Sequence, residues 1–105
     1  MQEITVHQLK EWMDKKETFV LIDVREPYEA ELGNLGGTLI PMGQVLERIQ
    51  EIPRQGRVVM HCRSGGRSAS VIKVLEEEYG YSNLINLNGG IAAWAAEINP
   101  DLNLS

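Results

Sequence analysis

Hydrophobic residues along the chain fall into short apolar runs separated by amphipathic stretches. The runs are brief, rich in β-branched residues and bounded by turn residues, which predicts strands. These predicted strands lie at Ile4 and at residues 19–24, 38–40, 57–61 and 84–87. Between them, apolar residues recur every three or four positions, which predicts helices. Strands that alternate with helices along the whole length indicate an α/β domain with a mostly parallel sheet.

The helix boundaries are marked by capping and breaking residues. Thr5 with Gln8 three residues later has the pattern of a capping box, and predicts a first helix that ends near Lys16. Residues 44–52 have helical spacing, and Pro53 would end that helix. Further helices are predicted to begin at Pro27, at Ser68 and after Gly89. Gly80 is a natural stop for the helix that begins at Ser68.

The length and composition fit one folded domain that spans residues 1–105. Of the 105 residues, 43% are hydrophobic and 24% are charged. These values are typical of globular proteins and argue against a disordered chain or a coiled coil. A chain of this size leaves no room for a second core.

The charge pattern narrows the choice of partners. Ten Lys and Arg residues stand against fifteen Asp and Glu, a net charge of −5, and basic residues occur at most in pairs. We therefore expect neither nucleic acid nor an anionic membrane to be the main partner. The apolar run at residues 19–22 is too short to span a bilayer, and no leader sequence is visible, so we expect a cytoplasmic protein.

Cys62 is the only cysteine of the chain. A single cysteine excludes an internal disulfide, a cysteine-built metal site and a second thiol that could resolve an oxidised sulfur. We expect no metal and no cofactor.

The most informative segment is the loop over residues 62–68, between the strand at 57–61 and the predicted helix that follows. Its paired glycines allow a tight turn with several N–H groups pointing inward, and the following helix adds its positive end. Together with Arg63 and Arg67, these dipoles should lower the pKa of Cys62 and favour a reactive thiolate. The alternative is that Cys62 is a small buried apolar residue.

These residues resemble the rhodanese (thiosulfate sulfurtransferase) homology domain. The similarity rests on CRSGGRSA and on LIDVREPYE some forty residues earlier, and it continues in LIP at 39–41 and LNGGIAAW at 87–94. It covers the chain from about Ile4 to Leu102 and implies a three-layer sandwich, in which helices flank a five-stranded sheet. In that family a cysteine carries sulfur as a persulfide, so the resemblance makes Cys62 the catalytic residue. The residues that would bind the outer sulfur are Arg63, Ser64, Gly65, Gly66, Arg67 and Ser68.

The length of the loop bears on a second chemistry of this fold, phosphate-ester hydrolysis. Four residues separate Cys62 from Arg67, whereas the related cell-cycle dual-specificity phosphatases have five. A tighter ring of donors suits one sulfur atom better than a tetrahedral phosphoryl group. No carboxylate next to the loop in sequence could serve as a general acid, although a spatial neighbour could.

Three further features concern support rather than chemistry. Asp23 and Arg25 match the family's DVRE element, and we expect Asp23 to brace nearby backbone or Arg25, with contact to substrate as the alternative. His61 should point to the opposite face from Cys62. The family's Gly-His-Ile-Pro-Gly-Ala is here Gly-Asn-Leu-Gly-Gly-Thr at 33–38, which should alter loop stability rather than activity.

The resemblance implies a sulfurtransferase. Thiosulfate, a small sulfur-containing anion, or a protein persulfide would load Cys62, and a thiol, cyanide or a partner protein would unload it. A different possibility is a sulfur-relay module that docks with one carrier protein and turns over little free thiosulfate. The stretch from Cys62 to Leu102 also resembles the domain fused to adenylating enzymes that sulfurate ubiquitin-like carriers.

Overall fold

The chain folds around a parallel sheet whose strands follow the predicted apolar runs. The computed structural model describes residues 1–104, so the last residue of the predicted domain, Ser105, lies outside the described residues. Within that range the sheet has five strands in the order β1-β5-β4-β2-β3, and every neighbouring pair is parallel. The strands are β1 (Gln2–Ile4), β2 (Val20–Asp23), β3 (Thr38–Leu39), β4 (Val58–His61) and β5 (Leu84–Leu87). The predicted α/β fold is confirmed.

Four α-helices cover the sheet, and their ends are set by local chemistry. They are α1 (Val6–Asp14), α2 (Pro27–Leu32), α3 (Gly66–Tyr79) and α4 (Gly90–Glu97). The capping box is present, because Gln8 N donates to Thr5 Oγ1 at 3.1 Å and Thr5 N donates to Gln8 Oε1 at 2.8 Å. Helix α3 begins two residues earlier than predicted, since Gly65 takes a left-handed conformation (φ 107°) and makes the turn itself.

The prediction of a helix over residues 44–52 is wrong. The segment forms two short 3₁₀ helices, Met42–Gln44 and Ile49–Glu51, joined by a turn. The predicted apolar face does pack inward, with Val45 and Ile52 buried. The carbonyl oxygens of Ile49 and Ile52 accept hydrogen bonds from the hydroxyl of Tyr81, which lies in a distant part of the chain. These contacts stabilise a geometry that the local spacing could not reveal.

The core lies on both faces of the sheet, and side-chain alternation assigns each strand residue to a face. On β4, Val58 and Met60 pack with Ile72 and Leu75 of α3, while Val59 packs on the other face with Leu9 of α1. Cys62 continues the first series and lies in the cluster beside α3. The alternation therefore directs the cysteine toward α3 and His61 away from it.

The connection after β2 leads to β3, on one side of the sheet, and the connection after β4 leads to β5, on the other side. The point between such strands, beyond their carboxyl ends, is where open α/β sheets bind ligands. Asp23 ends β2, and Cys62 follows directly after β4. Across residues 1–104 we find no helix of the length and apolarity that a bilayer crossing requires.

Candidate active site around Cys62

The loop over residues 62–68 wraps around the sulfur of Cys62. The amide of Gly65 donates to Sγ at 3.1 Å, and the amide of Ser68 approaches it at 3.5 Å. The hydroxyl oxygen of Ser68 lies 3.5 Å from Sγ as well. The sulfur thus lies at the amino terminus of α3, where the first N–H groups have no partner within the helix.

The carbonyl groups of the loop are held by the next helix. Ile91 N donates to the Cys62 carbonyl oxygen at 3.0 Å, and Ala92 N donates to that of Arg63 at 2.8 Å. Gly90 makes this contact possible, because its φ is +58° and a Cβ there would lie 2.5 Å from the Arg63 oxygen. Fixing these carbonyls on α4 orients the start of the loop.

Hydrogen bonds determine the acidity of the thiol. Burial raises the pKa of Cys62, but the hydroxyl of Ser68 and the amides of Ser68, Gly65 and Ser64 together lower it below its ordinary value. Only 1% of Cys62 is exposed, and it lies in the apolar cluster beside α3. The cysteine is therefore buried, as the inert interpretation expects, yet donors surround it as the reactive interpretation requires.

Asn86 completes the polar surroundings from β5. Its Oδ1 accepts a hydrogen bond from the Ser68 hydroxyl at 2.6 Å, and its Nδ2 donates to the Gly65 carbonyl at 3.3 Å. Asn86 is 5% exposed. It fixes both loop residues whose amides reach the sulfur.

The two loop arginines have different surroundings. Arg67 lies close enough for the negative charge of Cys62 to raise its pKa, although the larger cause is its hydrogen bond to Glu29. Arg63 is exposed and donates to the carbonyl of Leu104 at 2.9 Å. This contact holds the Arg63 guanidinium at the carboxyl-terminal segment, and the role of Arg63 in binding the outer sulfur stays a prediction.

The Arg67 guanidinium is neutralised by a carboxylate from α2. It forms two parallel bonds to Glu29, of 2.7 and 2.9 Å. The same bonds, more than any other contact, lower the pKa of Glu29 to about 2. Glu29 is thus charged throughout the physiological range.

Asp23 and Arg25 form a buried ion pair at the end of β2. Arg25 Nη2 lies 2.7 Å from Asp23 Oδ2, and both side chains are almost fully buried. The same nitrogen donates to the carbonyl of Gly33 at 2.8 Å. The pair therefore ties the segment after α2 to the sheet, and its hydrogen bonds go to protein groups other than the cysteine.

The segment that departs from the family pattern is held by its own side chain. Asn34 accepts a hydrogen bond from Gly36 N at 2.9 Å and donates to the Ala30 carbonyl at 3.0 Å. Gly37 packs against β2 so closely that a Cβ would lie 2.7 Å from the Leu21 carbonyl oxygen. Local hydrogen bonds and close packing hold the backbone without the family's histidine and proline.

His61 does not reach the sulfur. Its Nδ1 lies 3.3 Å from the Cys62 carbonyl oxygen, and its Nε2 has no partner among the described residues. Burial, the largest influence, lowers the pKa of His61. A neutral ring on the opposite face is not placed to act as a base for Cys62.

Two surface depressions lie away from Cys62. One of about 370 Å³ lies beside Phe19 and Gly37, and one of about 400 Å³ lies beside Arg54 and Tyr81. The donors around Cys62 instead lie within 3.5 Å of a single atom, Sγ. The chemistry of this site suits a very small group, such as a single sulfur atom, better than a bulky substrate.

Comparison with known proteins identifies the family. Residues 5–97 match the model of the rhodanese-like domain. The chain belongs to the rhodanese-like family. A protein from Allochromatium vinosum named "Sulfurtransferase" is 38% identical over 96 residues, which cover 90% of this chain and 89% of that protein. Sulfur transfer is the general chemistry that these relatives support.

A second relative is much longer. "Probable adenylyltransferase/sulfurtransferase MoeZ" from Mycobacterium tuberculosis is 34% identical over 102 residues, which cover 94% of this chain but only 26% of that protein. The chain thus spans about a quarter of the length of that relative. Among solved structures, a rhodanese-related protein from Thermoplasma volcanium has a TM-score of 0.83 and 27% identity, covering 95% of this chain and 96% of that one.

The sequence alone did not predict a functional role for two site residues, Glu29 and Asn86. Glu29 lies within the LIDVREPYE motif, but nothing local shows that it meets Arg67, 38 residues away. Asn86 had a usable signal, since it is the one polar residue in the strand Leu84–Leu87. A buried polar side chain needs a partner, and that partner here is the loop.

Proposed function

We propose that this rhodanese-like protein is a sulfurtransferase that carries sulfane sulfur as a persulfide on Cys62. The observation that carries the proposal is the pair of amides, from Gly65 and Ser68, directed at Sγ. Backbone donors to sulfur stabilise the thiolate, which is the nucleophilic form. The named sulfurtransferases among the relatives support the same chemistry.

In the loading step, the Cys62 thiolate attacks the sulfane sulfur of the donor. A bond forms between Sγ and that sulfur, and the bond to the donor breaks. Its electron pair leaves with sulfite when thiosulfate is the donor, or with a thiolate when a protein persulfide is. Gly66 and Arg67 occupy the first turn of α3, where amides lack partners within the helix and can stabilise the outer sulfur.

In the unloading step, an acceptor attacks the outer sulfur, and the electron pair of the Sγ–S bond returns to Cys62. The acceptor is a small thiol, cyanide or a protein from outside the chain, because the sequence holds one cysteine.

Phosphate-ester hydrolysis is less favoured. The spatial neighbour with a carboxylate is Glu29, and its pKa of about 2 leaves it without a proton to donate at neutral pH. The shorter loop and the absence of a proton donor at Glu29 both favour sulfur transfer.

A sulfur relay to a specific partner is the second candidate. Two observations favour it: Cys62 is 1% exposed, and relatives include a longer protein named for adenylyltransferase and sulfurtransferase activity as well as one named a sulfur carrier protein. In a relay, the same persulfide forms, but a protein acceptor removes it faster than cyanide does.

Turnover measurements test the proposal. The protein is incubated with thiosulfate and cyanide, and thiocyanate is measured for the wild type, for Cys62→Ser and for Ser70→Ala, an exposed serine on α3 outside the loop. We expect thiocyanate from the wild type and Ser70→Ala, and none above background from Cys62→Ser. Equal rates in Cys62→Ser and the wild type would contradict the persulfide mechanism.

A further inference from the structure

The contacts of Arg67 bear on which donors the site accepts. A site that attracts a doubly charged anion such as thiosulfate needs positive charge that is free to face it. Arg67 is the loop guanidinium that interacts with the Cys62 charge, and it donates two hydrogen bonds to Glu29. The net charge of the pair is zero.

Helix α2, which supplies Glu29, adds no compensating positive side chain. Arg63 keeps its charge, but its guanidinium is directed to the carbonyl of Leu104. Helix α2 and its cap contribute two more exposed acids, Glu26 and Glu31, and no lysine or arginine. The attacking thiolate is itself negative, so a dianion that approaches meets repulsion that Arg67 does not fully offset.

Hydrogen bonds hold Glu29 in its charged form and in a fixed position. Its Oε1 also accepts a hydrogen bond from Glu26 N at 3.0 Å, which is part of the cap of α2. Its side chain is 13% exposed, against 36% for Arg67. The carboxylate is thus the better buried partner, held by its own helix.

We infer that Glu29 is a specificity-determining residue, whose carboxylate neutralises Arg67 and makes the site favour sulfur carried on a thiol over a free dianion such as thiosulfate. This inference rests on the proposed function. With a persulfide donor RSSH, the Cys62 thiolate attacks the outer sulfur, the S–S bond of the donor breaks, and RS⁻ leaves with its electron pair. That reaction brings in no second negative charge.

The variant that tests the inference is Glu29→Gln. Glutamine keeps an oxygen that can accept from Arg67 and from Glu26 N but removes the charge. The matched control is Glu51→Gln, which removes the same charge from another arginine pair, with Arg48 at 2.7 Å. The second-order rate constants for loading Cys62 are measured by intact mass with thiosulfate and with the persulfide of 2-mercaptoethanol.

We expect Glu29→Gln to raise the thiosulfate rate constant about fivefold. The positive charge of Arg67 is then no longer compensated, and it attracts the dianion at moderate distance. The persulfide rate constant should change less than about twofold, and Glu51→Gln should leave the ratio of the two unchanged. A ratio that stays constant or falls in Glu29→Gln overturns the inference and makes Glu29 a residue that only positions Arg67.

A measurement on the wild type guards against a variant that fails to fold. Its thiosulfate rate constant should stay constant or rise between about 0.02 and 0.5 M salt, because salt screens a net repulsion at the site rather than an attraction. A steep fall with salt would overturn the inference. If neither donor adds sulfur to the wild type, the proposed function fails as well, whereas loading with an unaltered ratio refutes only the role of Glu29.

Discussion

At the scale of single residues, the reactivity of Cys62 is decided by a balance between burial and hydrogen bonds. Burial raises the pKa of the thiol, and the donors of Ser68, Gly65 and Ser64 lower it further than burial raises it. Ser68 provides both a hydroxyl and an amide. It is therefore the residue whose side chain can be tested without altering the backbone cradle.

The variant Ser68→Ala removes the hydroxyl and leaves the amides. We expect the pKa of Cys62 to rise, since the hydroxyl, which donates to Asn86 Oδ1 while Cys62 is a thiol, can turn toward Sγ 3.5 Å away once the sulfur is a thiolate. Alkylation of Cys62 by iodoacetamide, followed between about pH 5 and 10, reports this pKa. The midpoint should move to higher pH because the folded protein then holds the proton more tightly.

Ser70→Ala is the control for this measurement, because Ser70 is exposed on the same helix. Its alkylation profile should coincide with that of the wild type. If Ser68→Ala showed that same profile, the hydroxyl would have no part in stabilising the thiolate.

At the scale of elements, helices α3 and α4 hold the two ends of the loop over residues 62–68. The amino terminus of α3 directs amides at the sulfur, and that of α4 takes the carbonyls of Cys62 and Arg63. Both arrangements require glycine in a left-handed conformation, at Gly65 and at Gly90.

The contact between α4 and the loop can be tested with Gly90→Ala. The new Cβ would meet the carbonyl oxygens of Arg63 and Cys62 at 2.5 and 2.6 Å, in a conformation that alanine disfavours. We expect a loss of about 2 kcal/mol or more in the free energy of unfolding in urea, together with slower loading of Cys62.

Gly43→Ala is the matched substitution, because no atom lies within 4 Å of its added Cβ and its φ is not positive. This variant should keep the stability and the loading rate of the wild type within a few tenths of a kcal/mol. Equal stability of the two alanine variants would show that α4 does not constrain the loop.

At the scale of the whole molecule, the strands could be predicted because each is a contiguous apolar run, and the loop could be predicted because its glycines, cysteine and helix start are adjacent. Contacts between distant segments could not. Glu29 meets Arg67 across 38 residues, and Asn86 meets Ser68 across 18. The prediction of a helix over residues 44–52 is wrong for the same reason, since the hydroxyl of Tyr81 donates hydrogen bonds to that segment from a distant part of the chain.

The contacts of Glu29 and Asn86 converge on one place, beyond the carboxyl ends of β2, β4 and β5. The sheet brings Asp23 and Cys62 to that edge, and β5 supplies Asn86 beside the loop. The parallel topology therefore assembles the site, while the local sequence of residues 62–68 provides its chemistry.

The central claim, that Cys62 holds a transferable sulfur atom, is tested most directly by intact-mass spectrometry. The wild type is treated with the persulfide of 2-mercaptoethanol, freed of excess reagent and weighed before and after cyanide, with Cys62→Ala in parallel. We predict a gain equal to one sulfur atom that cyanide removes, and no such gain in Cys62→Ala. A wild-type mass that stays unchanged, or an equal gain in Cys62→Ala, would contradict the account.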